Sequence, residues 1–326
     1  MRFVLSLLLL GSFIVQPAGL PKAAELPGIP QFIDEMVSRH QFRRDELENA
    51  FARAQHRPDV IEAISRPATI KPWPEYRAAF VNPKRIRLGL GFWDKYRQTL
   101  RRAEKEYGVP QEIIVAVIGV ETIYGENAGN FLVLDALTTL AFDYPPRADF
   151  FRGELENYLL LAREQQFDLL AIRGSYAGAL GIPQFMPDSY RIYAVDFNGN
   201  HRIDLLHEDR DAIGSVANYL QNYGWARGEP VAVRAQLGEG ARLGETRAPR
   251  SLSEWAAAGV KPDAYIAPGK SARLVDFTVK EGREFWLAFN NFEVITRYNN
   301  SDFYAMSVFQ LAEELKAAHR AGASKR

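Results

Sequence analysis

The segment Ile113–Gly125 reads IIVAVIGVETIYG, and it decides the fold of this chain. Residues 113–120 are apolar at every position, so a helix built from them is hydrophobic on all faces and belongs in a core. Glu121 lies four residues after Val117, on the same stripe of core side chains. The sequence therefore predicts a buried helix over Pro110–Thr122 that carries a carboxyl group into the interior.

Two interpretations of the Glu121 carboxyl group are open from its spacing. Burial disfavours the charged form and raises the pKa, as a general acid that works near neutral pH requires. A structural carboxylate, neutralised by an arginine or by a helix end, would occupy the same place. The next residues, 122–130, are rich in glycine and amides, so we expect the helix to end in a cleft.

The composition restricts the chemistry that the chain can perform. Its 326 residues include no cysteine, which excludes disulfide scaffolds, thiol nucleophiles and thiolate zinc sites. No pair of the five histidines has the i, i+4 spacing of a helical zinc site. Because 40 basic side chains balance 40 acidic ones, no overall charge draws the chain to nucleic acid. Carboxylates, hydroxyls, amides and aromatic rings remain, and this set suits carbohydrate chemistry.

Helices are predicted on both sides of this segment, because apolar residues recur there at steps of three and four. The predicted segments are short helices over Gln31–Ser65, then Phe92–Tyr107, Leu132–Phe142, Arg152–Gln166, Asp209–Tyr223 and Ser301–Ala318. Alternating residues at Val231–Leu237 and Arg273–Val279, with glycines between them, predict strands of a small β-rich insertion. The expected fold class is mainly α (α+β), and the length suggests about two domains.

The first residues have the order of a secretory signal peptide. A cation at Arg2 precedes the apolar run Phe3–Val15, and small and turn residues fill Gln16–Ala24. The prolines and glycine of that last stretch favour cleavage between residues 18 and 24, and an uncleaved membrane anchor is the alternative. A chain without cysteine cannot carry a lipid-modified N-terminal cysteine, so we expect a soluble periplasmic protein.

Five blocks of sequence resemble the B-type lytic murein transglycosylases, glycoside hydrolase family 103, in the same order along the chain. The blocks are PWPEY at Pro72–Tyr76, GVETIYG at Gly119–Gly125, SYAGALGIPQFMP at Ser175–Pro187, DAIGSVANY at Asp211–Tyr219 and ITRYNNS at Ile295–Ser301. Five ordered blocks are far more specific than any one of them alone.

The resemblance implies a lysozyme-like catalytic core with an N-terminal helical region and the β-rich insertion. The expected division is a signal peptide over 1–24, the helical region and core over 25–227, the insertion over 228–282, a return to the core over 283–318, and a flexible tail over 319–326.

The resemblance places the catalytic acid/base on Glu121. In the family, this glutamate protonates the oxygen of the β-1,4 bond between N-acetylmuramic acid and N-acetylglucosamine. The C6 hydroxyl of the muramic acid then closes on C1 and leaves a 1,6-anhydro end, so no water and no second catalytic carboxylate are needed. Glu126 is the nearest alternative carboxylate, and we expect it to be solvated.

Seven further residues match positions that contact sugar in the family. Ser175 and Gln184 flank the GALGIPQ turn, where a cap and a loop-closing amide are the alternative roles. The others match aromatic and amide positions of the cleft: Tyr76, Tyr219, Tyr298, Asn299 and Tyr304. Sugar C–H faces pack on aromatic rings, although a single tyrosine is more often a core residue. Asp188 stands where the family usually has serine.

Oxygen-bearing side chains alternate in the loop Asp196–Asp204, in the manner of an EF-hand. By resemblance, the candidate Ca²⁺ ligands are Asp196, Asn198, Asn200, the Arg202 carbonyl and Asp211. His201 stands at the sixth place, where an EF-hand has glycine, and two carboxylates are replaced by amides, so we expect weak binding. An Asx-rich turn without metal is the alternative.

The predicted function is non-hydrolytic cleavage of peptidoglycan glycan strands, with no cofactor required for the chemistry and Ca²⁺ as a candidate structural ion. A hydrolytic muramidase and a catalytically inactive peptidoglycan-binding scaffold are the alternatives. We expect a monomer that binds glycan strands and not nucleic acid, with no membrane segment after signal cleavage. Proteins of cell-wall synthesis or division are its candidate partners.

Overall fold

The computed structural model describes residues 22–66, 71–267 and 269–323, and helices dominate it, which confirms the predicted mainly α class. The helices are α1 (Ile29–His40), α2 (Arg44–Arg53), α3 (Pro58–Ser65), α4 (Trp73–Phe80), α5 (Pro83–Lys95), α6 (Arg97–Tyr107), α7 (Gln111–Thr122), α8 (Val133–Asp143), α9 (Ala148–Gln165), α10 (Pro187–Tyr193), α11 (Asp209–Asn222), α12 (Leu252–Ala257), α13 (Asn290–Tyr298) and α14 (Asp302–Ala323). The strands are β1 (Phe131–Leu132), β2 (Arg173–Gly174), β3 (Ala232–Leu237), β4 (Arg250–Ser251), β5 (Val260–Pro262), β6 (Ser271–Val279) and β7 (Gly282–Ala288).

Helix α7 is the centre of the helical body, as its apolar sequence predicts. Every residue from Ile113 to Val120 is buried. Helices α5, α6, α11 and α14 pack around it. The buried Arg85 of α5 donates from Nε to the Gly119 carbonyl oxygen at 2.7 Å, which satisfies a guanidinium inside this packing. The buried helix therefore holds the position of its last turn, where Glu121 lies.

In the N-terminal region α1 packs on α2 and α3 packs on α8, which in turn packs on α9. Phe32 of α1 meets Phe142 of α8 with ring centroids 5.7 Å apart. Ala23 is fully buried, and its N–H donates to the Ala54 carbonyl oxygen at 2.9 Å. Residues 1–21 of the predicted signal peptide lie outside the described residues. Its last three residues, Lys22–Ala24, are part of the folded region.

The insertion forms an antiparallel sheet in the order β4-β6-β7-β3-β5. It has its own small core around Trp255, Val260 and Leu287. The sheet extends past the predicted boundary at residue 282, because Gly282 pairs with Val279 at the start of β7, which continues to Ala288. Strand β7, which pairs with β6, therefore lies almost entirely in the segment 283–318, which was predicted to belong to the helical core.

Two side chains join this sheet to the helical body. The indole Nε1 of Trp73 in α4 donates to Glu284 of β7 at 2.9 Å. Arg273 of β6 forms ion pairs with Glu293 of α13 and Asp302 of α14, both at 2.5 Å. These pairs flank the α13–α14 connection, which forms part of the site described below.

Two helical predictions differ from the structure. The helix predicted over Phe92–Tyr107 is interrupted at Tyr96, whose ring packs on Phe92 and whose hydroxyl donates to Asp209 of α11. The tail predicted from residue 319 is helical as far as Ala323, since α14 continues and the His319 ring stacks on Trp93 with centroids 4.4 Å apart. Both differences arise from long-range contacts that a local pattern does not contain.

Candidate active site

Glu121 occupies the last turn of α7 and faces a cleft of about 620 Å³. The Tyr304 hydroxyl of α14 donates to its Oε1 at 2.5 Å. Tyr304 itself is buried, so the carboxyl group has protein on one side and the cleft on the other. This geometry leaves the second carboxyl oxygen free to act on a molecule in the cleft.

The Glu121 carboxyl group is poised to exchange a proton near neutral pH. Its pKa is raised to about 7 because burial penalises the charged form, while the hydrogen bond from Tyr304 opposes the rise by favouring the carboxylate. An ion pair with Glu121 is not found among the described residues, so the alternative of an arginine-neutralised structural carboxylate is not what the geometry supports.

A row of tyrosines leads away from Glu121 along the cleft. The rings of Tyr304 and Tyr298 are stacked with centroids 6.4 Å apart. Tyr219 then packs on Tyr298 at 4.8 Å, and Tyr223 packs on Tyr219 at 4.5 Å. The Tyr298 hydroxyl donates to the Pro183 carbonyl oxygen at 2.6 Å, and that of Tyr219 to the Arg297 carbonyl oxygen at 2.7 Å. The row therefore ties α11, α13 and α14 into one wall.

Ser175 and Gln184 belong to the turn that forms the facing part of the cleft. The Ser175 Oγ accepts hydrogen bonds from the N–H groups of Ala177 (3.2 Å) and Ala179 (3.0 Å). The Gln184 Nε2 donates to the carbonyl oxygens of Ala128 (3.0 Å) and Gly181 (2.8 Å). Because both partners are carbonyl oxygens, which can only accept, the end of the amide that contacts them is the nitrogen. The amide oxygen Oε1 is therefore the atom that can bind a ligand. Gln184 thus has the loop-closing role considered from sequence, whereas Ser175 closes a turn and does not cap a helix; both side chains also line the cleft.

The end of α7 is fastened to this turn through Thr122. Its buried Oγ1 donates to the Ile182 carbonyl oxygen at 2.8 Å and accepts from the Gly125 N–H at 3.0 Å. Gly181 has a left-handed φ of +69°, and a Cβ placed on it would lie 2.2 Å from the Leu205 carbonyl oxygen. Only glycine fits there, and this close packing places Gln184 beside Glu121.

The structure brings most of the sequence-predicted site residues together. Six of them line the one cleft: Glu121, Ser175, Gln184, Tyr219, Tyr298 and Asn299. Tyr304 supports Glu121 from behind. Tyr76 packs among Trp73, Phe80 and Phe303, and its pKa is raised by burial and then by the charge of Glu121. It is therefore a neighbour of the carboxyl group from the α4 side.

The sequence reasoning missed several residues of the cleft. These are Phe150, Glu154, Tyr176, Tyr223 and Arg297. Glu154 lies between Phe151 and Leu155 on the buried stripe of α9, so the spacing rule that singled out Glu121 would also have found it. The exposed aromatic residues carry no such signal, because a lone ring in a loop or at a helix end has no periodic context.

Glu154 is a second buried carboxyl group at the cleft. Its Oε2 accepts from the Asp188 N–H at 3.1 Å. Burial first, and then the nearby charge of Asp188, raise its pKa to about 8. Near neutral pH it is therefore protonated and lacks the negative charge that a nucleophile or general base needs. Glu126, in contrast, is exposed and pairs with Lys84 at 3.3 Å, as expected from sequence.

The candidate cation residues lie in a separate loop between α10 and α11. Asp196 accepts hydrogen bonds from the N–H groups of Gly199 (2.7 Å), Asn200 (3.1 Å) and His201 (2.7 Å). Asn198 and Asn200 each accept from the N–H two residues further on. These are the bonds of an Asx-rich turn, the metal-free alternative.

Asp211 closes the same loop from the first turn of α11. It is fully buried and accepts from the N–H groups of Phe197 (2.9 Å), Asn198 (3.1 Å) and Asp204 (3.0 Å). His201 adopts a left-handed φ of +66°, the conformation for which EF-hand loops use glycine at this place. The donor set of two carboxylates, two amides and one carbonyl suits a hard cation, although no cluster of three or more acidic or histidine ligands occurs in the described part of the chain.

No helix within residues 22–66, 71–267 and 269–323 combines the length and the apolar content needed to cross a bilayer.

Comparisons with known proteins show the family to which the chain belongs. A family model described as "Transglycosylase SLT domain" matches residues 25–313. The membrane-bound lytic murein transglycosylase B of Escherichia coli strain K12 is 43% identical over 305 residues, which are 90% of this chain and 84% of that protein. A crystal structure of the soluble lytic transglycosylase SltB1 from Pseudomonas aeruginosa is 48% identical with a TM-score of 0.85, over 90% of this chain and 99% of that one.

Two further solved structures contain bound groups. Escherichia coli lytic transglycosylase SLT35 in complex with calcium is 42% identical with a TM-score of 0.86, over 92% of this chain and 96% of that one. SltB3 from Pseudomonas aeruginosa in complex with NAG-anhNAM-pentapeptide is 31% identical with a TM-score of 0.79, over 88% of this chain and 78% of that one.

Proposed function

Since this chain belongs to the B-type lytic murein transglycosylases, glycoside hydrolase family 103, and is a lytic transglycosylase of peptidoglycan, we propose that Glu121 is its catalytic acid and base. The observation that carries this proposal is the cleft-facing, half-buried carboxyl group with a pKa of about 7. At neutral pH a substantial fraction of such carboxyl groups carries a proton that can be donated, and the ionised form is basic enough to accept a proton.

The reaction proceeds in two proton transfers at Glu121. The protonated carboxyl group donates to the glycosidic oxygen, the bond from that oxygen to C1 of the muramic acid breaks, and N-acetylglucosamine leaves with a new hydroxyl. The C6 hydroxyl oxygen then bonds to the electron-poor C1 and loses its proton to the Glu121 carboxylate. No water is consumed, and the carboxyl group returns to its starting state with a 1,6-anhydro end as the product.

The surroundings of Glu121 support both transfers. Tyr304 holds one oxygen of the carboxyl group, which orients the other toward the cleft. The hydrogen bond also stabilises the carboxylate that forms after the first transfer. We assign Ser175, Gln184, Tyr219, Tyr298 and Asn299 to sugar binding because they line the same cleft, and Tyr76 to the support of Glu121.

A hydrolytic mechanism has less support. It needs a second, ionised carboxylate to activate water or to form the glycosyl intermediate. Two other carboxyl groups line the cleft. Glu154 has a pKa of about 8 and is protonated at neutral pH, and the charge of Asp188 acts on Glu154 and is not among the influences on Glu121. Glu126 is exposed and paired with Lys84.

The test is product analysis with two isosteric variants. Glu121→Gln removes the transferable proton and should lower the rate of release from purified sacculi by about 10²- to 10⁴-fold. Glu126→Gln is the matched control and should retain the wild-type rate. Mass spectrometry should find 1,6-anhydro-muramic ends in the wild-type digest. Reducing muramic ends instead would favour the muramidase, and binding to sacculi without release would favour the scaffold.

We also propose that the loop of Asp196, Asn198, Asn200, Arg202 and Asp211 holds a structural Ca²⁺. The oxygen donor set and the left-handed backbone at His201 support it. The ion would stiffen the connection between α10 and α11 and take no part in the proton transfers.

Export to the periplasm is proposed from the first residues, with cleavage before Lys22. The burial of Ala23 supports this position, because a cut after Ala23 or Ala24 would remove a core side chain. Mass spectrometry of the N-terminus, on protein from the periplasmic fraction, should find a start between residues 19 and 22. A chain that retained Met1 would contradict cleavage. Association with proteins of cell-wall synthesis or division, and a monomeric state, stay predictions.

A further inference from the structure

Tyr223 is an exposed aromatic ring in a carbohydrate cleft, at the C-terminal cap of α11. Its exposed fraction is 39%, although a ring of this size gains free energy when it is removed from water. Among the described residues, the exposed large hydrophobic side chains are Phe150, Tyr176, Ile192, Tyr223 and Tyr265. Three of these five line the cleft, so the exposure is concentrated where a sugar chain would cover it.

The position of Tyr223 relative to Glu121 is set by the row of tyrosines. Tyr219 and Tyr223 are four residues apart on one face of α11, with ring centroids 4.5 Å apart. Tyr219 contacts Tyr298, and Tyr298 stacks on Tyr304, which holds Glu121. Tyr223 is thus the solvent end of a row whose buried end contacts the catalytic carboxyl group. A strand cleaved at Glu121 would extend past Tyr223.

A carboxylate lines the same cleft as this ring. Asp188, in the first turn of α10, also lines the cleft. Tyr193, on the same helix α10 as Asp188, packs its ring on that of Tyr223 with centroids 5.4 Å apart. The pKa of Tyr193 is raised by a hydrogen bond with Tyr223, then by burial, and further by the charges of Tyr223 and Asp188. The Asp188 Oδ1 accepts from the Ser189 hydroxyl at 3.0 Å. A carboxylate has about four lone-pair sites, so acceptor capacity remains for a ligand.

We propose that Tyr223 and Asp188 form an additional sugar-binding subsite, in which the ring stacks on a β-1,4-linked N-acetyl amino sugar and the carboxylate accepts hydrogen bonds from its hydroxyl or amide groups. An aromatic face beside a hydrogen-bond acceptor matches the apolar and polar sides of a pyranose ring. The subsite rests on the proposed function, since it binds the same strand that Glu121 cleaves. It specifies that this enzyme holds its substrate beyond the bond it breaks.

The experiment measures binding without turnover, in the Glu121→Gln background. Binding of (GlcNAc)₂ to (GlcNAc)₆ is followed by calorimetry for this variant alone and combined with Tyr223→Ala. We expect the substitution to weaken binding of the longer oligomers by about 3- to 10-fold and to leave the dimer less affected. Tyr223→Phe should restore most of the affinity, because the ring face is retained. Tyr265→Ala is the matched control, since Tyr265 is 89% exposed and lies outside the cleft lining.

Asp188→Ser tests the polar half of the subsite. It should weaken binding of the same long oligomers, and in the active enzyme raise KM for glycan strands more than it lowers kcat. Unchanged binding by the Tyr223→Ala protein, with an unchanged melting temperature, would overturn the subsite. If that protein binds weakly but the wild type releases no anhydro ends, the proposed function fails and the subsite stands. If the wild type cleaves and Tyr223→Ala binds normally, the subsite fails and the proposed function stands.

Discussion

Glu121 combines two opposed influences on one carboxyl group. Burial raises its pKa, and the hydrogen bond from Tyr304 restrains the rise, with the result at about 7. A carboxyl group left in water would be ionised at neutral pH and unable to protonate a leaving oxygen. A pKa of about 7 therefore suits the proposed role of Glu121, as acid first and as base afterwards.

Tyr304→Phe should move the pH dependence of the reaction. Glu121 must be protonated at the start, so kcat/KM should fall as the pH rises through about 7. The substitution removes a hydrogen bond that favours the charged form, so the pKa of Glu121 rises and the alkaline limb shifts to higher pH. The pH profile of kcat/KM on solubilised glycan strands measures this shift.

Tyr298→Phe is the control for that experiment. Its hydroxyl donates to the Pro183 carbonyl oxygen and not to Glu121, so the alkaline limb should stay where it is in the wild type. A shift of the limb to lower pH in Tyr304→Phe, or an equal shift in both variants, would show that the Tyr304 hydrogen bond does not tune Glu121.

At the scale of elements, the catalytic geometry depends on the contact between the end of α7 and the turn that contains Gln184. Thr122 bonds to the Ile182 carbonyl oxygen, and Gly181 packs against the Leu205 carbonyl oxygen without room for a Cβ. The turn is therefore held to α7 by the Thr122 side chain and to the Leu205 segment by direct backbone contact. Such a junction tolerates no added atom, because the backbone cannot move aside as a side chain can.

Gly181→Ala should damage both stability and activity. The left-handed φ and the clash with Leu205 should cost at least about 1 kcal/mol of unfolding free energy, and relief of the clash would displace Gln184 from the cleft. Gly153→Ala makes the same chemical change in α9, where a Cβ meets nothing within 4 Å, and should stabilise by about 0.5–1 kcal/mol. Urea unfolding and sacculus release measure both effects. Equal stability of the two variants would disprove the role of the junction.

At the scale of the whole molecule, an antiparallel sheet packs on a helical body, the cleft is lined by residues outside that sheet, and the predicted mainly α, lysozyme-like class is confirmed. The sheet is fastened to the helices by Trp73 and Arg273, on the side of α4, α13 and α14. The cation loop lies on the other connection, between α10 and α11, the helices that carry Asp188, Tyr219 and Tyr223. The loop therefore joins two helices that contribute residues to the cleft.

Calcium should raise the melting temperature of the whole protein. A ligand that binds only the folded state stabilises it in proportion to the logarithm of its concentration, and millimolar Ca²⁺ should add about 2–4 °C relative to EDTA. Asp196→Asn should abolish the difference, because it removes a carboxylate ligand and retains the amide oxygen of an Asx turn. Identical melting curves with Ca²⁺ and EDTA in the wild-type protein would remove the ion proposal.

The sequence by itself determined the buried helix α7, its terminal carboxyl group and six of the residues that line the cleft. Hydrophobic periodicity predicts which residues are buried. The five sequence blocks that resemble the family identify the turn that contains Gln184 and the tyrosines of the cleft. The break at Tyr96, the continuation of the sheet to Ala288 and the helical end of α14 were not predicted, since each depends on a partner from another part of the chain.

Only the tertiary structure decided how the carboxyl groups behave. The pKa of Glu121 depends on Tyr304, which is 183 residues away, and that of Glu154 depends on Asp188, which is 34 residues away. Tyr223 becomes a surface of the cleft because its neighbour Tyr219 on α11 packs on Tyr298 of α13. Electrostatic and packing energies act over a few ångströms in space and are independent of separation along the chain. A local pattern can therefore predict which side chains are buried, and the fold alone determines what they meet.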